Sequence, residues 1–271
     1  MTCCLVIAAY RFVDLDDLPA LRLRLLEAAQ QGSLLGTVLL APEGINIALA
    51  GPPSAVESWL QALARDARFA DLPVKRHRAQ TPPFGKLLVK VKREIIRMNE
   101  HGIRPQAGRA SAVGAATLQR WLDRGHCDDG RPVVLLDTRN AFEVEAGSFE
   151  GALDWRLGKF SDFPAALAAQ GAALQGKTVV SFCTGGIRCE KAALWMAQSG
   201  MDHVHQLDGG ILAYFEATAA APHWQGRCVV FDERQSVDSA LEPALKLQLK
   251  AEVKAEVNRE VFLDAGRRSE S

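Results

Sequence analysis

The order of strands and helices changes once along the chain, and that change limits the fold more than any other feature. Up to about residue 98, apolar strands and amphipathic helices follow one another as βαββαβ. From about residue 115, single helices and single strands alternate. Between the two patterns, Asn99, Gly102, Pro105, Gly108 and Gly114 break any regular period, so this stretch reads as a linker. A length of 271 residues fits two domains at ~100–200 residues each. The expected division is residues 1–97, a linker over 98–114, a second domain over 115–222 and an extension over 223–271.

In the first half, residues 3–13 read as a buried strand that includes Cys3 and Cys4. Asp14 and Asp16 open a helix over 16–31, with leucines 18, 21, 25 and 26 on one face and Gly32 as its C-cap. Gly36–Ala41 and Ile45–Ala50 form a hairpin across Pro42-Glu43-Gly44. A helix follows from Pro53 to Arg65, then a strand over Leu72–Arg78. This is the split pattern of a ferredoxin-like, acylphosphatase-sized α+β module. Between residues 85 and 98 apolar and basic residues interleave.

The second half places helices at 115–124, 163–173, 188–199 and 211–220 and strands at 133–137, 178–182 and 203–207. That alternation predicts a doubly wound, largely parallel α/β sheet. His203 and His205 share one strand face, which fits packing or surface roles. The tail from Pro243 reads as a charged, solvated helix.

No run approaches the ~18 apolar residues of a membrane span, and the N-terminus lacks the basic region of a signal peptide. The six cysteines show no CxxC pair, so the expected location is the reducing cytoplasm. In that compartment a well-placed cysteine points to chemistry rather than to a staple.

Cys183 is such a residue. It ends the apolar strand Thr178–Phe182 and is followed by Thr184, Gly185, Gly186, Ile187 and Arg188, where a helix begins. Two glycines let the backbone curl so that several N–H groups face the sulfur, and the helix N-terminus adds positive potential. Both effects favour the thiolate, which is the nucleophile. Arg188 either braces the loop or meets an anionic group. Cys189 is a packing residue or resolves an oxidised Cys183 as a disulfide.

The run Cys-x-x-Gly-x-Arg, with Asp137-Thr138-Arg139 upstream and Gly209-Gly210 downstream, resembles the rhodanese domain. In that family the loop cysteine carries a persulfide, and Asp137 and Arg139 are then supporting residues. The longer run Cys183–Lys191, behind a module holding Pro42-Glu43-Gly44-Ile45-Asn46, resembles the oxygen-dependent tRNA uridine hydroxylase family. Phe84–Leu87, Val89–Ile95 and Phe231-Asp232-Glu233-Arg234 extend that resemblance over roughly residues 3–240. It implies formation of 5-hydroxyuridine at the wobble position, in the anticodon loop of tRNA, with molecular oxygen as co-substrate and Cys183 required. No metal, flavin or haem motif is visible in the sequence. The alternative is a sulfurtransferase working through a Cys183 persulfide. Some longer relatives carry a C-terminal cysteine cluster that resembles a zinc site. Here Cys228 stands alone beyond residue 189, so that site is not implied.

The chain balances 32 basic residues against 32 acids, which at first sight argues against a nucleic-acid partner. The balance is uneven. Between Lys75 and Arg109 ten basic residues face two acids, a net of +8. Lys75, Arg76, Arg78, Lys86, Lys90, Lys92, Arg93 and Arg97 are therefore the RNA-binding candidates, since phosphate contacts need such charge. His77, Phe84 and His101 are available to stack on an unpaired base.

Overall fold

A computed structural model describes residues 4–100, 103–104, 108–232 and 234–243. Cys3, His101, Glu233 and the charged helix expected after Pro243 lie outside the described residues. The chain divides into two compact units, Met1–Arg97 with Arg104–Gly108, and Met98–Ile103 with Arg109–Ser271. No helix among the described residues is long and apolar enough to cross a membrane.

The first unit follows the order β1 (Cys4–Phe12), α1 (Leu18–Gln31), β2 (Leu35–Ala41), β3 (Gly44–Gly51), α2 (Pro53–Ala64), β4 (Lys75–Ala79) and β5 (Leu87–Val91). Leu21 and Leu25 of α1 and Val56, Trp59, Leu60 and Leu63 of α2 cover one sheet face, packing on Ile7, Val38, Leu40, Ile45, Ile47 and Leu49. Burial of each such side chain contributes ~1.5–3 kcal/mol. The Trp59 indole N–H donates to the Leu25 carbonyl at 3.2 Å, which ties the two helices together.

Three details depart from the expected elements. The sheet has five strands in the order β4-β1-β3-β2-β5, and the fifth, β5, pairs parallel with β2 inside the basic, interleaved stretch. Gly32 does cap α1, but Ser33 takes the left-handed turn, with φ 51° against −80° at Gly32. The residue before α1 is Asp17, and its carboxylate accepts from Arg68 rather than from the helix it precedes.

The second unit comprises β6 (Ala112–Val113), α3 (Ala115–Arg124), β7 (Val133–Asp137), α4 (Ala141–Ala146), β8 (Gly147–Phe149), β9 (Leu153–Asp154), α5 (Phe163–Gln170), β10 (Thr178–Phe182), α6 (Ile187–Gln198), β11 (Val204–Leu207), α7 (Gly210–Ala217), β12 (Trp224–Gly226), β13 (Cys228–Val229) and β14 (Ser236–Val237). Five strands form a parallel sheet in the order β6-β11-β10-β7-β9. α3 packs beside α7 and α5 beside α6. β10 is central and buried along its whole length, as a strand covered on both faces must be.

Two expected boundaries fall inside this unit. Ala112 and Val113, assigned to the linker, form the edge strand β6 beside β11. Residues past 222 do not stand apart either. β12 pairs with β8, and Cys228, Val230 and Val237 join the apolar core that holds Leu118, Tyr214 and Phe149.

Candidate active site

Strands β7, β10 and β11 are neighbours, and the loops leaving their C-terminal ends converge on Cys183. This is where ligands bind in open parallel sheets. Thr138 fixes the join between β7 and β10. Its N–H and its hydroxyl both donate to the Phe182 carbonyl, at 3.0 and 2.8 Å. The residue after Phe182 is therefore held in place on its N-terminal side.

The other side is held by α7. Its first-turn N–H groups have no partner within the helix. Ile211 N–H donates to the Cys183 carbonyl at 2.9 Å and Leu212 N–H to the Thr184 carbonyl at 3.1 Å. This close approach explains the second glycine of the Gly209-Gly210 pair. Gly210 has φ +67°, and a Cβ there would lie 2.4 Å from the Cys183 carbonyl oxygen.

The sulfur of Cys183 sits in a cradle closed by Gly186 at φ +108°. Gly186 N–H donates to Cys183 Sγ at 3.1 Å. Cys183 is 1 % exposed and Cys189 is 0 %. Cys189 occupies the first turn of α6, with its Sγ 3.8 Å from Cys183 Sγ and 3.2 Å from the Gly186 carbonyl oxygen. Burial opposes ionisation of Cys183. The Cys189 thiol, the Arg188 guanidinium and the N–H groups of Cys189 and Gly186 outweigh it and hold Cys183 well below the ordinary thiol range. Cys189 moves the opposite way, raised by burial and by the anion beside it. The two shifts run in opposite directions, favouring the ionised form at Cys183 and the protonated form at Cys189.

Arg188 braces the loop. Its guanidinium forms a two-pronged pair with the buried carboxylate of Glu143, at 2.5 and 2.8 Å, and lies over the Phe231 ring at 5.7 Å. Glu143 belongs to α4 and also accepts from the Asn140 N–H at 3.0 Å. The sequence-based set of site residues does not include Glu143. Its signal is the Asn-x-x-Glu spacing of a helix capping box after Asp137-Thr138-Arg139. The Thr184 hydroxyl lies 3.2 Å from the Val229 carbonyl, so the segment after residue 222 forms one wall of the site. Ile187 is the first residue of α6, and Gly185 faces open space.

Asp137 and Arg139 form a separate structure nearby. Arg139 donates to Asp137 at 2.9 and 2.6 Å and to the Gly147 carbonyl at 2.6 Å. It is fully buried against Phe182 and Trp224. The pair fixes the end of β7 to β8 and does not touch the Cys183 sulfur. His205 packs on Trp121 and shares a hydrogen bond with Ser111. Cys127 accepts from Thr178 in the core. Cys228 is buried, and burial pushes its thiol up to about 11. Among the described residues no group of three or more His, Cys, Asp or Glu is placed to hold a metal ion.

The basic candidates are not one strip. β4 and β5 are opposite edges of the first sheet. Register puts Lys75 and His77 beside Ala8 and Val6, and Lys90 beside Leu39, all on the face away from the helices. Arg76 and Arg78 point the other way, and Arg76 pairs with Glu57 of α2 at 2.9 Å. Lys86, Lys92, Arg93 and Arg97 flank β5. Glu43 of the hairpin turn accepts from the Ile95 N–H at 2.8 Å, which anchors that flank.

Two family models match separate parts of the chain. A family described as the UPF0176 acylphosphatase-like domain matches residues 4–95, and the rhodanese-like domain family matches residues 115–217. A Bordetella pertussis protein named tRNA uridine(34) hydroxylase is 60 % identical over 243 residues, covering 90 % of this chain and 99 % of that protein. Proteins of the same name from Variovorax paradoxus and Cupriavidus taiwanensis are 58 % and 54 % identical, covering 85 % and 88 % of this chain and 88 % and 84 % of theirs. Among solved structures, the rhodanese-like domain of an Anabaena protein is 17 % identical with a TM-score of 0.35, covering 51 % of this chain and 89 % of that one.

Proposed function

This chain belongs to the tRNA uridine(34) hydroxylase family, and from that premise we propose that it converts the wobble uridine of tRNA to 5-hydroxyuridine with molecular oxygen, through the Cys183 thiolate. The observation that carries the reading is the cradle itself, in which a buried sulfur accepts the Gly186 N–H at 3.1 Å beside the Arg188–Glu143 pair. A thiolate held there is nucleophilic at neutral pH. Added to C6 of uracil, it raises electron density at C5, the carbon that takes the oxygen. Elimination then restores the C5–C6 double bond and frees the sulfur. Arg188 keeps the anion in place and is itself neutralised by Glu143.

The RNA is held by its phosphates, and the anticodon loop suits the site because its bases are already unpaired. On the first sheet, Lys75 and His77 at one edge and Lys90 at the other flank the face away from the helices, roughly 19 Å apart across four strand spacings. These residues are the proposed phosphate and base contacts, in the cytoplasm where tRNA is found. Purified full chain, given tRNA that lacks the modification under ¹⁸O₂, is expected to place one ¹⁸O on uridine 34. A sulfur-bearing product, or transfer of sulfur from thiosulfate at comparable rate, would instead establish the sulfurtransferase reading.

A further inference from the structure

Hydroxylation by O₂ has an electron requirement that the substrate meets only in part. Oxygen takes up four electrons on its way to one C–OH and one water. The C5–H bond supplies two. The remaining two must come from a donor, and the cradle holds two cysteines rather than one.

We propose that Cys183 and Cys189 supply those two electrons and become a disulfide in each turnover, which makes Cys189 a further reacting residue of the site. The geometry points to this pair. The two sulfurs are 3.8 Å apart, and a movement of about 1.8 Å brings them to the ~2.05 Å of a bond. Gly186 addresses both at once. Its N–H donates to Cys183 Sγ at 3.1 Å, and its carbonyl oxygen lies 3.2 Å from Cys189 Sγ. The electrostatics divide the roles as the chemistry needs, an anion at Cys183 and a protonated thiol at Cys189.

The steps balance. O₂ enters at C5 and leaves it as a hydroperoxide once the C5 proton and the C6–sulfur bond are lost. The freed Cys183 thiolate attacks the outer oxygen and breaks the O–O bond. C5 keeps one oxygen and takes a proton to become C5–OH, while Cys183 becomes a sulfenic acid. The Cys189 thiol then displaces that oxygen as water, and the S–S bond forms. The sum is C5–H, O₂ and two thiols giving C5–OH, water and one disulfide. An external dithiol reductant restores the pair by exchange. Cys189 is the cysteine whose sulfur lies beside that of Cys183, while Cys127 Sγ accepts from the Thr178 hydroxyl and Cys228 Sγ lies 3.9 Å from the Thr184 hydroxyl.

This inference rests on the hydroxylase reading, and its test separates the two. Fully reduced enzyme is freed of reductant and mixed with tRNA lacking the modification in air-saturated buffer. The expected yield is one 5-hydroxyuridine per chain, the loss of two thiols per product, and a Cys183–Cys189 peptide that forms only when tRNA is present. Cys189→Ala is expected to give one turnover, to accumulate a sulfenic acid on Cys183 that dimedone captures, and to turn over about tenfold or more slower with excess dithiol. Thermal melting of Cys189→Ala and Cys189→Ser checks that both are folded. Many turnovers without reductant and with all thiols intact would overturn the inference alone, as would a Cys189→Ala enzyme that cycles like wild type. No 5-hydroxyuridine from wild type even with excess dithiol would overturn the hydroxylase reading as well.

Discussion

Arg139 and Arg188 each place a guanidinium on a buried carboxylate, but the two regions use the same pair differently. Arg139 meets Asp137 two residues away, is fully buried, and spends a further donor on the Gly147 carbonyl. Its ring neighbours are Phe182 and Trp224. Arg188 meets Glu143 from 45 residues away, across α4 and α6, and its field reaches the Cys183 sulfur. The first pair is framework that fixes where β7 ends. The second places charge beside a reactive atom while staying neutral as a unit. A buried ion pair does not by itself announce a site. What distinguishes the second pair is that its cation lies beside a sulfur held below the ordinary thiol range, whereas burial pushes Cys228, the cysteine near the first pair, up.

The largest effect that separates the regions is on folding. Asp137→Ala leaves Arg139 charged and unpaired in the interior and is expected to cost about 3–5 kcal/mol of stability, read by urea denaturation. The fraction of Cys183 alkylated by iodoacetamide should keep its pH midpoint in the molecules that remain folded. If that midpoint moves, the two regions are not separate.

A smaller effect, on reactivity, belongs to the other pair. Arg188→Gln with Glu143→Gln removes both charges and avoids a stranded buried carboxylate. Losing the nearby cation destabilises the thiolate, so the pKa of Cys183 rises towards the ordinary ~8.5. Alkylation and hydroxylation should then need higher pH: once the pKa passes the working pH, each further unit of rise costs about tenfold at that pH. An unchanged pH profile would show that the arginine acts only as a brace.

The smallest effects are on the first sheet. Lys75→Glu and Lys90→Glu are each expected to weaken tRNA binding a few-fold at low salt and to lower the salt dependence by roughly one phosphate contact. Arg76→Gln, on the opposite face and paired with Glu57, should do neither. Equal effects from all three would favour a diffuse basic field over a face.

Both domain patterns were legible in the sequence, because strand and helix periods are local. So was the cysteine loop, where strand, glycines and helix start follow one another within a dozen residues. What was not legible depends on partners distant in the chain. Lys75–Arg97 is one basic run in sequence, yet sheet order sends its two ends to opposite edges. β5 was hidden because Lys90 interrupts an apolar run that needs β2 to become a strand. Glu143 reaches Arg188 only through the fold. The two- and three-residue strands β6, β8, β9, β12, β13 and β14 are too short to carry a period.

The central claim is that the Cys183 thiolate carries the reaction. It is tested most directly by the nucleosides of tRNA from cells lacking this protein, complemented with wild type or with Cys183→Ala at equal protein levels. Wild type should restore 5-hydroxyuridine at position 34, and Cys183→Ala should leave it at the level of uncomplemented cells. Restoration by Cys183→Ala would contradict the account.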